Sequence, residues 1–99
     1  MNVTETKTES GLTLMVEGKV DTVTAPALQQ SILTAFQKSK DIVLDLKEVP
    51  YMSSAGLRAL LIGAKTANSK GGSMKVTNVQ DIVMKVFEMS GFKKMLNFI

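Results

Sequence analysis

The chain has 99 residues, of which 44% are hydrophobic and 21% charged, with a formal net charge of +3, and this composition is typical of one folded domain over residues 1–99. It contains no cysteine and no histidine, which excludes a disulfide framework, thiolate metal sites and a Ser-His-Asp triad, so we expect no metal, no cofactor and no enzymatic activity. Its lysines are spread singly apart from Lys93-Lys94, no apolar run reaches about 18 residues, and the amino terminus lacks a signal-peptide pattern, so we expect a cytoplasmic protein without direct nucleic-acid contacts or a membrane span.

The first elements are predicted to be two strands, at residues 3–7 and 12–16. A short turn that ends in Gly11 lies between them, so the pair is expected to form an antiparallel hairpin. Residues 18–23 then follow as an exposed connection. A helix start is indicated at Thr24-Ala25-Pro26, because proline is tolerated in the first turn of a helix.

The remaining elements alternate between helices and strands. The first helix carries one apolar stripe (Leu28, Ile32, Ala35 and Phe36). Residues 42–46 are nearly all apolar, which is typical of a central strand covered on both faces. A second, well-buried helix is expected over residues 54–68, a strand over 74–77, and a third helix whose stripe is Val79, Ile82, Val83, Val86 and Phe87. Ser90-Gly91 ends that helix, and residues 92–99 are expected to pack back as a last short strand.

This order of elements predicts an α/β fold. Strands that alternate with helices imply right-handed crossovers and neighbouring parallel strands. We therefore expect a mostly parallel sheet of four to five strands, with an antiparallel first hairpin and three to four helices.

The segment from Pro50 to Arg58 carries the most informative chemistry. Ser54 is predicted to cap the second helix, where an exposed hydroxyl would tolerate a phosphate. Gly56 is unusual in a first helical turn, and we interpret it as leaving backbone N–H groups open to an anion or a partner. Tyr51 and Met52 would place apolar bulk beside the hydroxyls on an exposed connection. A simple helix cap remains the alternative interpretation of the serines.

Two stretches of this sequence carry a family resemblance. The first is Leu44-Asp45-Leu46 followed by Met52-Ser53-Ser54-Ala55-Gly56-Leu57, and the second is residues 18–28. They resemble the STAS domain family, in its branch of bacterial anti-sigma factor antagonists: the first is similar to the phosphorylation-site signature of that branch, and the second to the segment before the family's first helix. Together with the order of elements, the resemblance covers essentially the whole chain and implies the STAS fold.

The resemblance implies a partner switch. The unphosphorylated protein would bind an anti-sigma factor that is also a serine kinase, and would thereby release a sigma factor; a phosphatase of the PP2C type would reverse the phosphorylation. Ser54 matches the phosphate acceptor, while Ser53 stands where many members have aspartate and is the alternative acceptor. The expected partner-binding residues are Asp21, Thr22, Met52, Ser53, Ser54, Gly56, Leu57 and Arg58.

Other interpretations stay open at this point. A STAS domain could serve a signalling scaffold or a lipid-transport complex without phosphorylation, and an enzyme with Ser54 as nucleophile is a weaker third hypothesis. Asp21 could simply shape the loop before the first helix. Asp45, within an apolar strand, is expected to be a structural carboxylate with hydrogen-bond partners.

Overall fold

The computed structural model describes all residues from 1 to 99 and contains five strands and three α-helices, as the sequence predicts. The third helix ends at Gly91, whose φ of 77° provides a left-handed helix end. A 3₁₀ turn (Phe92–Met95) leads from there into the last strand. In chain order the elements are β1 (Asn2–Thr8), β2 (Gly11–Glu17), α1 (Ala25–Lys38), β3 (Asp41–Glu48), α2 (Ser54–Ser69), β4 (Ser73–Thr77), α3 (Asp81–Ser90) and β5 (Asn97–Phe98).

The five strands form one mixed sheet in the order β1-β2-β3-β4-β5. β1 and β2 pair in antiparallel fashion, and every other neighbouring pair is parallel. Because the strands follow one another across the sheet in sequence order, connections of a single hand place all three helices on the same face. The predicted mostly parallel sheet with an antiparallel first hairpin is confirmed.

The core lies between the helices and one face of the sheet. Buried residues alternate along the strands, and their registers align Leu14 of β2 with Leu44 of β3 and then with Val76 of β4. The opposite face stays open, since Met15 is 44% exposed and Lys75 is also exposed. The expectation that β3 is covered on both faces is therefore wrong.

The helices use the apolar stripes that the sequence predicts, with one exception. In α1, the four predicted stripe residues and Ala25 are buried. In α3, only Val83 and Phe87 are buried, while Ile82 is 58% exposed because it points away from the sheet. No helix has the length and apolar character needed to cross a membrane.

Candidate functional site

Two loops are joined at the carboxyl end of β3, and their joining creates the site. The backbone N–H of Val20, after β2, donates to the carbonyl of Tyr51 at 3.0 Å, and the N–H of Ser53 donates to the carbonyl of Val20 at 2.8 Å. Val20 and Met52 thus form an isolated parallel bridge. Both side chains are essentially inaccessible to solvent, so the predictions that residues 18–23 and Met52 lie on exposed connections are wrong at these two positions.

Asp21 shapes the loop that leads into α1. One carboxylate oxygen, Oδ1, accepts hydrogen bonds from the N–H groups of Val23 and Thr24, both at 3.0 Å, and from the Thr24 hydroxyl at 3.2 Å. The hydrogen bond from the Thr24 backbone is the main reason why the pKa of Asp21 lies below its usual value. These bonds give Asp21 a structural role in holding the loop beside the serines.

Ser53, and not Ser54, occupies the N-cap position of α2. Its side chain makes no capping hydrogen bond, and its Oγ is buried without any hydrogen-bond partner. Ser54 is the first residue of the helix and is exposed. The prediction that Ser54 is the capping residue is therefore off by one position, and the two hydroxyls lie in opposite environments.

Gly56 serves packing and does not leave open backbone. A Cβ built at this position would lie 2.6 Å from the Cγ of Met52 and 2.8 Å from Cγ1 of Val20. Glycine therefore lets α2 approach the bridge between the two loops, which corrects the interpretation of an anion-accessible helix turn. Leu57 is also buried. Of the expected partner-binding residues, Met52, Gly56 and Leu57 lie beneath the surface and could only support a partner contact.

Several exposed residues lie close in sequence to the two bridging residues, Val20 and Met52. Thr22, Ser54 and Arg58 were expected there from the sequence, and all three are exposed. Val23 and Tyr51 join them with exposed fractions of 84% and 46%. Val23 was missed because a single exposed valine in a loop has no periodicity to mark it. We refer to Thr22, Val23, Tyr51, Ser54 and Arg58 as the serine surface.

Arg58 forms no ion pair. The two salt bridges of the chain join Lys38 to Glu5 and Lys93 to Glu88. No group of three or more acidic side chains is placed to hold a metal ion.

Asp45 accepts hydrogen bonds from the N–H of Lys47 at 3.0 Å and from the side-chain amide of Asn78 at 3.2 Å. It has the hydrogen-bond partners expected of a structural carboxylate.

The candidate site thus lies on a mixed sheet covered by helices on one face, with an exposed serine at the start of α2. The sequence profile of the STAS domain matches residues 2–99, and the chain belongs to that family.

Its relatives include proteins named as antagonists of anti-sigma factors. The chain is 27% identical over 97 residues to the anti-sigma-B factor antagonist of Bacillus subtilis, an alignment that covers 98% of this chain and 89% of the relative. It superposes on an anti-sigma factor antagonist from Mycobacterium paratuberculosis with a TM-score of 0.87 at 23% identity, covering 98% of this chain and 83% of the other. It also superposes on the Bacillus cell fate determinant SpoIIAA in its phosphorylated form, with a TM-score of 0.73 at 20% identity, covering 99% of this chain and 91% of the other.

Proposed function

We propose that this protein is an anti-sigma factor antagonist that is switched by phosphorylation at Ser54. In this proposal the unphosphorylated form binds an anti-sigma factor serine kinase in the cytoplasm and releases the sigma factor which that kinase holds. The kinase then phosphorylates Ser54, and a phosphatase of the PP2C type resets the switch. The observation that carries the proposal is the exposed Ser54 hydroxyl at the start of α2 in a chain whose relatives are named as antagonists.

The environments of the two serines favour Ser54 as the acceptor. A kinase must bring the acceptor oxygen in line with the γ-phosphate of ATP, which requires access to that oxygen. Ser54 offers this access, while the Ser53 oxygen is buried and its backbone is tied to Val20. Phosphorylation of Ser53 would first require the bridge between Val20 and Met52 to open.

A phosphate on Ser54 would act on the partner contact and leave the fold in place. A phosphoserine adds roughly −1.5 to −2 charges at pH 7. The helix N-terminus tolerates that charge, because the helix dipole is positive there. The added bulk and charge would instead disturb an interface centred on the serine surface, where Val23 and Tyr51 supply apolar contact area.

The first experiment locates the phosphate. The chain is incubated with ATP and purified kinase-type anti-sigma factors, and the modified residue is identified by mass spectrometry. We expect phosphate on Ser54 in the unmodified sequence and in Ser53→Ala, and none in Ser54→Ala. Phosphate that persists in Ser54→Ala would contradict the choice of acceptor.

The second experiment measures binding. With ADP in place of ATP, we expect a stable complex with one kinase of the panel and at least tenfold weaker binding for Ser54→Asp, a loss of about 1.4 kcal/mol. Ser69→Asp, at the far end of α2, is the control and should bind normally. If no kinase-type anti-sigma factor binds the chain, the proposal fails, and a STAS module with a different kind of partner becomes the better explanation.

A further inference from the structure

β1 is a free edge of the sheet, and it is neither shortened nor interrupted by proline or a bulge. It lies outermost in the strand order and pairs with β2 through all seven of its residues without a register shift. Every one of those residues is exposed except the half-buried Val3. Edge strands are commonly protected by proline, by a bulge, by very short length or by charged side chains, and β1 has only the last of these, in Glu5 and Lys7. The opposite edge, β5, has two residues.

The hairpin geometry decides which backbone groups of β1 point outward. Two residues separate Thr8 from Gly11, so these two close the hairpin as a hydrogen-bonded pair. Bonded and unbonded pairs alternate along antiparallel strands. The backbone groups of Val3, Glu5 and Lys7 therefore face away from β2 and are free to bond another strand.

We propose that β1 pairs with β1 of a second copy of this chain, in antiparallel fashion, with Thr6 facing Thr6 on the two-fold axis. In this register each Glu5 lies opposite Lys7 of the second copy, so the interface contains two pairs of opposite charge. Shifting the register so that Glu5 faces Glu5 would place like charges opposite each other, which disfavours pairing. The charges thus favour this register, in which Glu5 faces Lys7 in both directions, as the reciprocity of a two-fold interface requires.

The ion pairs within one chain leave these groups available. Lys7 has no acidic partner in its own chain, while the Glu5 carboxylate accepts a hydrogen bond from Lys38 of α1 at 2.9 Å. In the dimer, Glu5 would lie between Lys38 of its own chain and Lys7 of the second copy. The proposal uses no residue of the serine surface, so it goes beyond the proposed function and does not depend on it.

Analytical ultracentrifugation at low ionic strength, over micromolar to millimolar concentrations, tests the proposal. The chain should show a reversible monomer–dimer equilibrium. Glu5→Lys alone and Lys7→Glu alone should each dimerise about tenfold more weakly, because two attractive cross-strand pairs become repulsive. An equimolar mixture of the two variants should form a heterodimer, since positions 5 and 7 of one variant then face residues of opposite charge at positions 7 and 5 of the other.

Two results would overturn the proposal. One is a chain that stays monomeric at millimolar concentration. The other is a dimer to which the single variants and their mixture make no difference. Circular dichroism checks that each variant folds, and Lys7→Glu keeps the salt bridge between Glu5 and Lys38. A measurement without substitution is amide hydrogen exchange at Glu5 and Lys7, which should slow as the concentration of the chain rises; unchanged exchange where a dimer forms would exclude β1 as the interface.

Discussion

The hydroxyl of Ser53 is a buried group without a partner at a position where serine normally stabilises a helix. Replacing an N-cap serine with alanine usually costs about 1 kcal/mol, but that loss reflects a capping bond which Ser53 does not make. An unpaired buried hydroxyl itself costs about 1–3 kcal/mol. We therefore expect Ser53→Ala to leave the free energy of unfolding unchanged or to raise it.

Urea denaturation followed by circular dichroism measures this effect. Ser54→Ala is the matched control, because its side chain is exposed and it should change stability by no more than about 0.5 kcal/mol. A loss of about 1 kcal/mol in Ser53→Ala would mean that the hydroxyl has a hydrogen-bond partner in solution and would contradict the prediction.

Asp21 makes stability depend on pH in a defined direction. Its folded-state pKa lies below the ordinary value of 3.8, chiefly because of the bond from the Thr24 backbone. Between the two pKa values the unfolded chain binds more protons than the folded chain, so the contribution of Asp21 is present above the unfolded pKa and is lost as the pH falls through the folded one. Asp21→Asn retains an oxygen acceptor without the charge.

We expect Asp21→Asn to lower the thermal midpoint at pH 6 and to have progressively less effect as the pH falls below the ordinary pKa of 3.8 and through the lower folded-state pKa. Thermal unfolding of both chains across this range is the measurement. A difference that stays constant down to the lowest pH would show that the charge of Asp21 contributes nothing and that only side-chain geometry matters.

At the scale of elements, the contact between α2 and the two joined loops depends on Gly56, which has no Cβ atom. Alanine is a better helix former than glycine by about 1 kcal/mol, which alone would make Gly56→Ala stabilising. The added Cβ would meet Val20 and Met52 at distances that real structures do not show. Because overpacking a core costs about 1–3 kcal/mol, we expect the variant to be less stable overall.

The same substitution should disturb the site, since relief of the clash must move α2 or separate Val20 from Met52. Kinase binding of Gly56→Ala should therefore weaken although no surface residue changes. Ser69→Ala, at the exposed end of the same helix, should alter neither stability nor binding. A Gly56→Ala chain as stable as the original would show that the loops yield without cost.

Elements with local signals were predictable from the sequence, and contacts between loops were not. Pro26 marks the start of α1 and Gly91 marks the end of α3, and both elements lie where these residues indicate. The bridge between Val20 and Met52 joins positions 32 residues apart through a single pair, so neither segment shows the alternation of a strand. As a result, the sequence predicts that both loops are exposed and that Gly56 leaves the backbone N–H groups of its helix turn open.

The covering of β3 was mispredicted for a different reason. A short apolar run is typical of a strand buried on both faces, and Val43 contributes to that pattern. Yet Val43 and Asp45 are only half-buried, because the order of the strands places every helix on the other face. Whether the second face is buried depends on the order of the strands in the whole sheet, and a short stretch of sequence carries no information on that order.

For the molecule as a whole, the proposed phosphorylation site lies apart from the core that stabilises the fold. The core is one continuous cluster of 22 buried residues to which every helix and three of the five strands, β2, β3 and β4, contribute, so we expect a single cooperative unfolding transition. Ser54 lies outside this cluster. A charge added at Ser54 should therefore leave folding intact, and under the proposed function it would act on partner binding alone.

This separation predicts that Ser54→Asp slightly stabilises the chain while it weakens partner binding. The first turn of α2 contains no acidic residue, and a negative charge at a helix N-terminus contributes about 0.3–1 kcal/mol. In a domain of this size that gain raises the thermal midpoint by a few degrees, about 4–8 °C per kcal/mol. Ser69→Asp places the same charge at the opposite end of the helix and should lower the midpoint by a similar amount. Thermal unfolding of the two variants at low and high salt is the measurement, since salt should reduce both shifts. A lowered midpoint or a broadened transition in Ser54→Asp would mean that the charge acts by loosening the fold, and the separation of folding from switching would then be wrong.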